Sequence, residues 1–191
     1  MGFAVAERLA SLGAKVILVT GPVTLQCKND NIIRINVVSA REMQKQCLSY
    51  FGECNGAIMV AAVADFAPVI VEDQKIKRTS ANYLLELCPN PDIAASLGKI
   101  KRKDQVLVGF ALETNDEEQN AFVKLQKKNL DFIVLNSLRD TGSGFQHDTN
   151  KIKILDRSGV VSSYSLKSKT EVAVDIVNKL IAIENSISQL S

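Results

Sequence analysis

Metal-ligand spacing is the first thing missing from this sequence. It has one histidine, His147, and four cysteines, Cys27, Cys47, Cys54 and Cys88, none in a CxxC pair. That excludes a zinc constellation. Scattered cysteines in a chain of this size predict a reduced, cytoplasmic setting. No run approaches the ~20 apolar residues of a membrane span. The start lacks a basic segment leading into an apolar stretch and a cleavage site, so no signal peptide is expected. Charge of one sign is lacking too: 23 basic and 21 acidic residues leave a net +2. That gives no general case for nucleic acid or membrane partners. GxSxG, HExxH and a full GxGxxG are absent, so hydrolase and metalloprotease readings lack support. No internal repeat or low-complexity tract is visible.

What is present is ordinary globular composition. The 191 residues are 46% hydrophobic and 23% charged, enough for one well-cored domain. Phe3, Ala6, Leu9, Ala10 and Leu12 recur at helical spacing, with Gly13 as the stop. KVILVT (15–20) predicts a strand buried on both faces. NIIRINVV (31–38) predicts a second strand, and Ser39 with Glu42 a capping box opening a helix to about Phe51. GAIMVAAVA (56–64) predicts a third buried strand. In PDIAASLGKI (91–100), Pro91 stands at the first position of a helix. QVLVGFAL (105–112) and DFIVLN (131–136) read as strands around a helix that Thr114 and Glu117 would cap. After a polar loop over 137–150, KIKILD and VVSSYSL (151–166) form a β-hairpin. Ser168 with Glu171 caps a C-terminal helix, whose tail after Asn185 is expected to fray.

This alternation predicts an α/β fold. It is a three-layer, Rossmann-like, mainly parallel sheet with a C-terminal β-hairpin and helix. Ligands in such sheets sit beyond the carboxyl ends of the strands. That points to Thr20–Pro22, Ala64–Ala67, Ala111–Thr114 and Asn136.

Four segments near those ends could carry chemistry. In AAVADF (61–66), Ala61, Ala62 and Ala64 allow close approach to backbone, and Asp65 can meet a metal, hydroxyl or amide. The same residues equally suit helix packing and a turn cap. Residues 67–80, APVIVEDQKIKRTS, suit either a mobile flap bringing Lys75, Lys77 and Arg78 over a phosphate or an exposed basic loop. NPDI (90–93) turns into a helix whose backbone N–H groups can hold a ligand, though Asn90 and Asp92 also read as plain caps. In GFALET (109–114), Gly109 marks a close approach and Phe110 is either a base-stacking ring or core. Lys124 and Lys128, four apart on one helix face, repel unless an anion or water separates them. His147 receives no role.

Taken in order, MGFAVAERLASLGAKVILVTGPV, VAAVADF, KIKR, NPDI, VGFALET, KLQKKNLDFIVLN and GFQHDTNKIKIL resemble phosphopantothenoylcysteine synthetase. This is a ligase domain of coenzyme A biosynthesis, often fused to a flavin-dependent decarboxylase. The resemblance covers nearly the whole chain. It implies that 4′-phosphopantothenate is activated by CTP, with Mg2+, as an acyl-cytidylate. Cysteine then captures it, releasing CMP. It implies that Ala61, Ala62 and Asp65 contact phosphopantothenate and nucleotide. Lys75 is the flap lysine, catalytic together with Asp65. Pro91, Asp92, Ile93 and Ala94 read the pyrimidine, and Phe110, Lys124 and Lys128 make further nucleotide contacts. It also implies a homodimer.

Two departures stand out. The family's Gly-rich loop and Asn-x-Ser-Ser-Gly segment, expected just before Met1-Gly2, are not in the sequence, so an N-terminally truncated domain is expected. Ala67 stands where many relatives carry arginine. The competing readings are an NAD(P)-binding oxidoreductase on a related sheet and a non-catalytic fragment of the ligase.

Overall fold

Helix and strand signals in the sequence become sixteen elements in the computed structural model, which describes residues 1–78, 82–113, 116–137 and 149–189. Helix α1 (Gly2–Ser11) is followed by strands β1 (Val16–Thr20) and β2 (Ile32–Asn36). Helix α2 (Ala40–Phe51) leads to β3 (Gly56–Met59), β4 (Phe66–Pro68) and β5 (Leu87–Pro89). Then come α3 (Ile93–Ile100), β6 (Val106–Glu113), α4 (Glu117–Lys127) and β7 (Phe132–Ser137). The chain continues through β8 (Thr149–Asn150), β9 (Ile152–Asp156), β10 (Val161–Ser163), β11 (Lys167–Ser168) and α5 (Lys169–Ser188).

The main sheet has the order β10-β9-β7-β6-β3. Strands β3, β6 and β7 run parallel, and β9 and β10 add an antiparallel edge. β1 and β2 form a separate parallel pair, β4 with β5 and β8 with β11 two small antiparallel pairs. Val108, Phe132, Val134 and Ile154 pack against Val5 of α1 and Val172, Ala173, Ile176 and Val177 of α5. Leu107, Ile133 and Leu135 pack on the other face against Leu97 of α3 and Ala121 and Leu125 of α4. Helices on both faces of the sheet make three layers.

Local signals explain several boundaries. Gly13, at φ 91°, ends α1: its N–H donates to the Ala10 carbonyl and that of Ala14 to Leu9, a Schellman arrangement. Ser39 caps α2 by accepting from the Glu42 N–H at 3.2 Å. At α5 the capping box is complete, Ser168 Oγ accepting from Glu171 N–H at 3.3 Å and Glu171 Oε2 from Ser168 N–H at 2.9 Å. Asn129 takes the left-handed conformation (φ 55°) at the end of α4.

Other expectations are corrected. β1 is half-buried except for Thr20, with β2 its one strand neighbour among the described residues. β3 stops at Met59 instead of Ala64, and among the described residues it pairs with β6 alone. Pro91 precedes α3: Asp92 is the N-cap and Ile93 the first helical residue. α4 opens at Glu117 after Asp116 in the left-handed region (φ 45°), so Thr114 is not its cap. α5 runs on to Ser188, past the expected fraying point. Thr114, His147 and most of the 137–150 loop lie outside the described residues.

Candidate functional site

Beyond the ends of β3 and β6 lies a cleft of about 210 Å³. One wall comes from the turn after β3, through Ala61, Val63, Ala64 and Asp65. The facing wall is the entry to α3, residues Asn90, Pro91, Asp92, Ile93 and Ala94. Phe110 of β6 and Lys124 and Lys128 at the end of α4 complete it. The structure thus brings together Ala61, Asp65, Pro91, Asp92, Ile93, Ala94, Phe110, Lys124 and Lys128 from separate elements.

Two predicted residues lie elsewhere. Ala62 is exposed beside the cleft without lining it. Lys75 is exposed on the long arm that leaves through β4 and returns through β5, and it does not line the cleft. That arm is longer than the 67–80 segment read from sequence: its paired roots are Phe66–Pro68 and Leu87–Pro89.

Lys128 is paired with a carboxylate. Its Nζ lies 3.0 Å from Asp92 Oδ2. Asp92 Oδ1 meanwhile accepts from the Ala95 N–H at 3.0 Å. Burial alone would raise the Asp92 carboxyl, but the Ala95 N–H, the Lys128 ammonium and the nearby Lys127 charge outweigh it and hold it below the usual carboxylate range. The carboxylate is thus ionised, occupied on both oxygens and still half-exposed.

Helix packing places Lys128. A side chain at Gly98 of α3 would put its Cβ 2.0 Å from the Lys128 carbonyl oxygen. Only glycine lets the two backbones meet there. Asn129 Nδ2 then donates to the Gly98 carbonyl at 2.8 Å. The end of α4 is therefore stapled to the last turn of α3, and the Lys128 side chain reaches the Asp92 cap at the other end. Gly109 allows a close approach as well, but of core: a Cβ there would lie 2.5 Å from Leu130 Cδ1. Phe110 packs against the core cluster of β6 and β7, and it also lines the cleft.

Sequence reasoning missed the apolar floor. Met43 of α2, 7% exposed, and Met59, at the end of β3, line the cleft together with Leu130 and Ile133. Met43 sits among ordinary core positions of an amphipathic helix, and no local signal separates it from them.

No three His, Cys, Asp or Glu side chains among the described residues are grouped to hold a metal. A Mg2+ ion carried by nucleotide phosphates needs only one or two carboxylates. Asp65, exposed at the cleft, fits that smaller requirement. No helix among the described residues is long and apolar enough to cross a membrane.

Known proteins share this architecture. A prokaryotic protein named cysteine/cysteine sulfinic acid decarboxylase is 52% identical over 183 residues, 96% of this chain and 51% of the relative. Coenzyme A biosynthesis bifunctional protein CoaBC of Bacillus subtilis (strain 168) is 40% identical over 191 residues, 100% of this chain and 47% of the relative. The chain thus spans about half the length of these curated relatives. The crystal structure of the C-terminal domain of a CoaBC protein superposes with TM-score 0.79 at 33% identity, covering 98% of this chain and 82% of that one. The DNA/pantothenate metabolism flavoprotein of Streptococcus pneumoniae, at 20% identity, shares the fold with TM-score 0.79 over 94% of this chain and 86% of its own. The family described as DNA/pantothenate metabolism flavoprotein C-terminal domain matches residues 1–183, and the chain belongs to that family.

Proposed function

We propose that this chain is the ligase domain that joins 4′-phosphopantothenate to cysteine at the expense of CTP, in coenzyme A biosynthesis. The observation that carries this reading is the convergence of a carboxylate, an aromatic ring, a helix start and two lysines on one cleft. The CoaBC name of relatives at 40% and 33% identity supports it.

In this reading the entry to α3, from Pro91 to Ala94, takes the cytosine, and Phe110 stacks beside it. Lys124 and Lys128 hold the phosphates, Lys128 turning from Asp92 to the ligand while Asp92 keeps its hold on the Ala95 N–H. Small residues at Ala61 and Ala62 admit the phosphopantothenate carboxylate. A carboxylate oxygen attacks the α-phosphorus and pyrophosphate leaves, forming the acyl-cytidylate. The cysteine amine then attacks the acyl carbon, loses a proton and expels CMP. Asp65 would share a Mg2+ ion bound with the nucleotide, which would supply neutralisation of phosphate charge. Lys75 acts once the arm folds over the cleft and excludes water.

The resemblance places a strand and an Asn-bearing segment ahead of Met1-Gly2. We propose that such a strand sits between β1 and β3. Among the described residues each has one hydrogen-bonded strand neighbour, and Val19 and Met59 pack in one cluster with Met43 of α2. We also propose that the domain works in the cytoplasm with, or joined to, a flavin-dependent decarboxylase. The bifunctional name of the CoaBC relatives and their double length support that.

A thermal shift assay tests nucleotide choice. CTP with Mg2+ is expected to raise the melting temperature, and NADP to leave it unchanged. A rise with NADP alone rejects the ligase. Pyrophosphate release is then measured on the chain preceded by the corresponding CoaBC segment. CTP binding without any release there favours a non-catalytic fragment.

A homodimer is the proposed assembly. The arm leaves Ile70, Val71 and Leu84 71%, 79% and 93% exposed, an apolar display that a second copy would cover. Sedimentation is expected to give twice the chain mass; a monomer at micromolar concentration contradicts this.

A further inference from the structure

We propose that Asn90 is a positioning residue that holds the two walls of the cleft in register. It lies between Pro89 and Pro91, neither of which has a backbone N–H. Asn90 therefore supplies the hydrogen-bond donors of this turn, and both join it to the Ala64–Asp65 turn on the other wall. Its backbone N–H donates to the Asp65 carbonyl at 2.8 Å. Its side-chain Nδ2 donates to the Ala64 carbonyl at 2.9 Å. The carbonyl acceptor fixes which way the amide points.

The consequence reaches both ligands. Ala64 and Asp65 end one wall; Pro91 and Asp92 begin the other. Pro91 also disfavours helical backbone at Asn90, and the amide is held on the Ala64 carbonyl. Beyond Asn90, Asp92 caps α3 and pairs with Lys128. A continuous path thus runs from Ala64 through Asn90 and Asp92 to the phosphate-side lysine. Directly outside the staple, Phe66 faces Pro89 in the β4–β5 ladder, so Asn90 also anchors the root of the arm that carries Lys75. A clamp at that point sets the spacing between the phosphopantothenate wall and the nucleotide wall.

This inference rests on the ligase reading, and the test separates the two. Calorimetric titrations of CTP with Mg2+ and of 4′-phosphopantothenate are run on wild type, Asn90→Ala and Asn90→Leu. Leucine keeps the size and the backbone donor, loses the side-chain donor and adds no charge beside these anionic ligands. Both variants are expected to weaken both ligands by about fivefold, the worth of one neutral hydrogen bond. Gln44→Ala is the control: it removes a single bond between α2 and α3, Gln44 Nε2 to Ser96 Oγ at 3.0 Å, and should leave both affinities within twofold of wild type. Unchanged affinity in both Asn90 variants, or a loss confined to one ligand, overturns the proposal. So does an equal loss in Gln44→Ala at the same change in melting temperature. If wild type binds neither ligand, the ligase reading fails and this inference falls with it.

Discussion

Asp131→Ala is expected to lower the unfolding free energy by about 3 kcal/mol, because it strands a buried cation. Lys101 Nζ sits 2.7 Å from each Asp131 oxygen. The two side chains are 7% and 13% exposed. Asp131 Oδ2 also accepts from the Leu107 N–H at 2.6 Å, and Arg157 Nε lies 3.4 Å from Oδ1. Burial, with the Arg157 charge nearby, lowers the Lys101 ammonium from its ordinary value even with Asp131 beside it. Alanine removes the counter-charge and leaves the Leu107 N–H unpaired at once. Urea unfolding reads the effect, with a fall in melting temperature of about 10 °C. Replacing both partners by apolar residues, Lys101→Met with Asp131→Leu, is expected to cost less than Asp131→Ala alone. A loss under about 1 kcal/mol in Asp131→Ala would show that water reaches Lys101 and that the pair is merely a surface bridge.

The second large effect is expected on nucleotide binding. Removing both Lys124 and Lys128 as alanines should weaken CTP about a hundredfold, each charge-assisted contact contributing about tenfold. Lys128→Ala alone should give about tenfold. Its present bond to Asp92 must be exchanged for one to phosphate, which trims its net worth. Salt provides a second reading. Wild-type affinity should fall as ionic strength rises, and the double variant should respond much less. Affinity within twofold of wild type in the double variant would remove the α4 lysines from the site.

Elements with a local cause were legible. The α5 capping box lies within four residues, Ser168 to Glu171, and closes as its pattern predicts. The strands β6 and β7 announce themselves as apolar runs, because they are buried on both faces. The TNDE pattern misled for the opposite reason. Its helix starts later, at Glu117, after Asp116 adopts a left-handed turn that no capping pattern encodes. The run after Gly56 reads as a long strand, yet β3 stops at Met59; composition does not say whether a strand has a neighbour on each side.

The site divides in the same way. By itself the sequence determined the kinds of groups at the strand ends: the carboxylate of Asp65, the Asn90–Ile93 turn, the ring of Phe110, and the two lysines sharing one helix face. Those follow from residue identity and helical period, which act over a few positions. Only the tertiary structure decided which of them meet. It set Lys128 on Asp92, laid Met43 and Met59 beneath them as a floor, and left Lys75 out on the arm. Such meetings depend on how closely α3 and α4 approach at Gly98, a packing distance fixed by the absence of one Cβ and written in no local pattern.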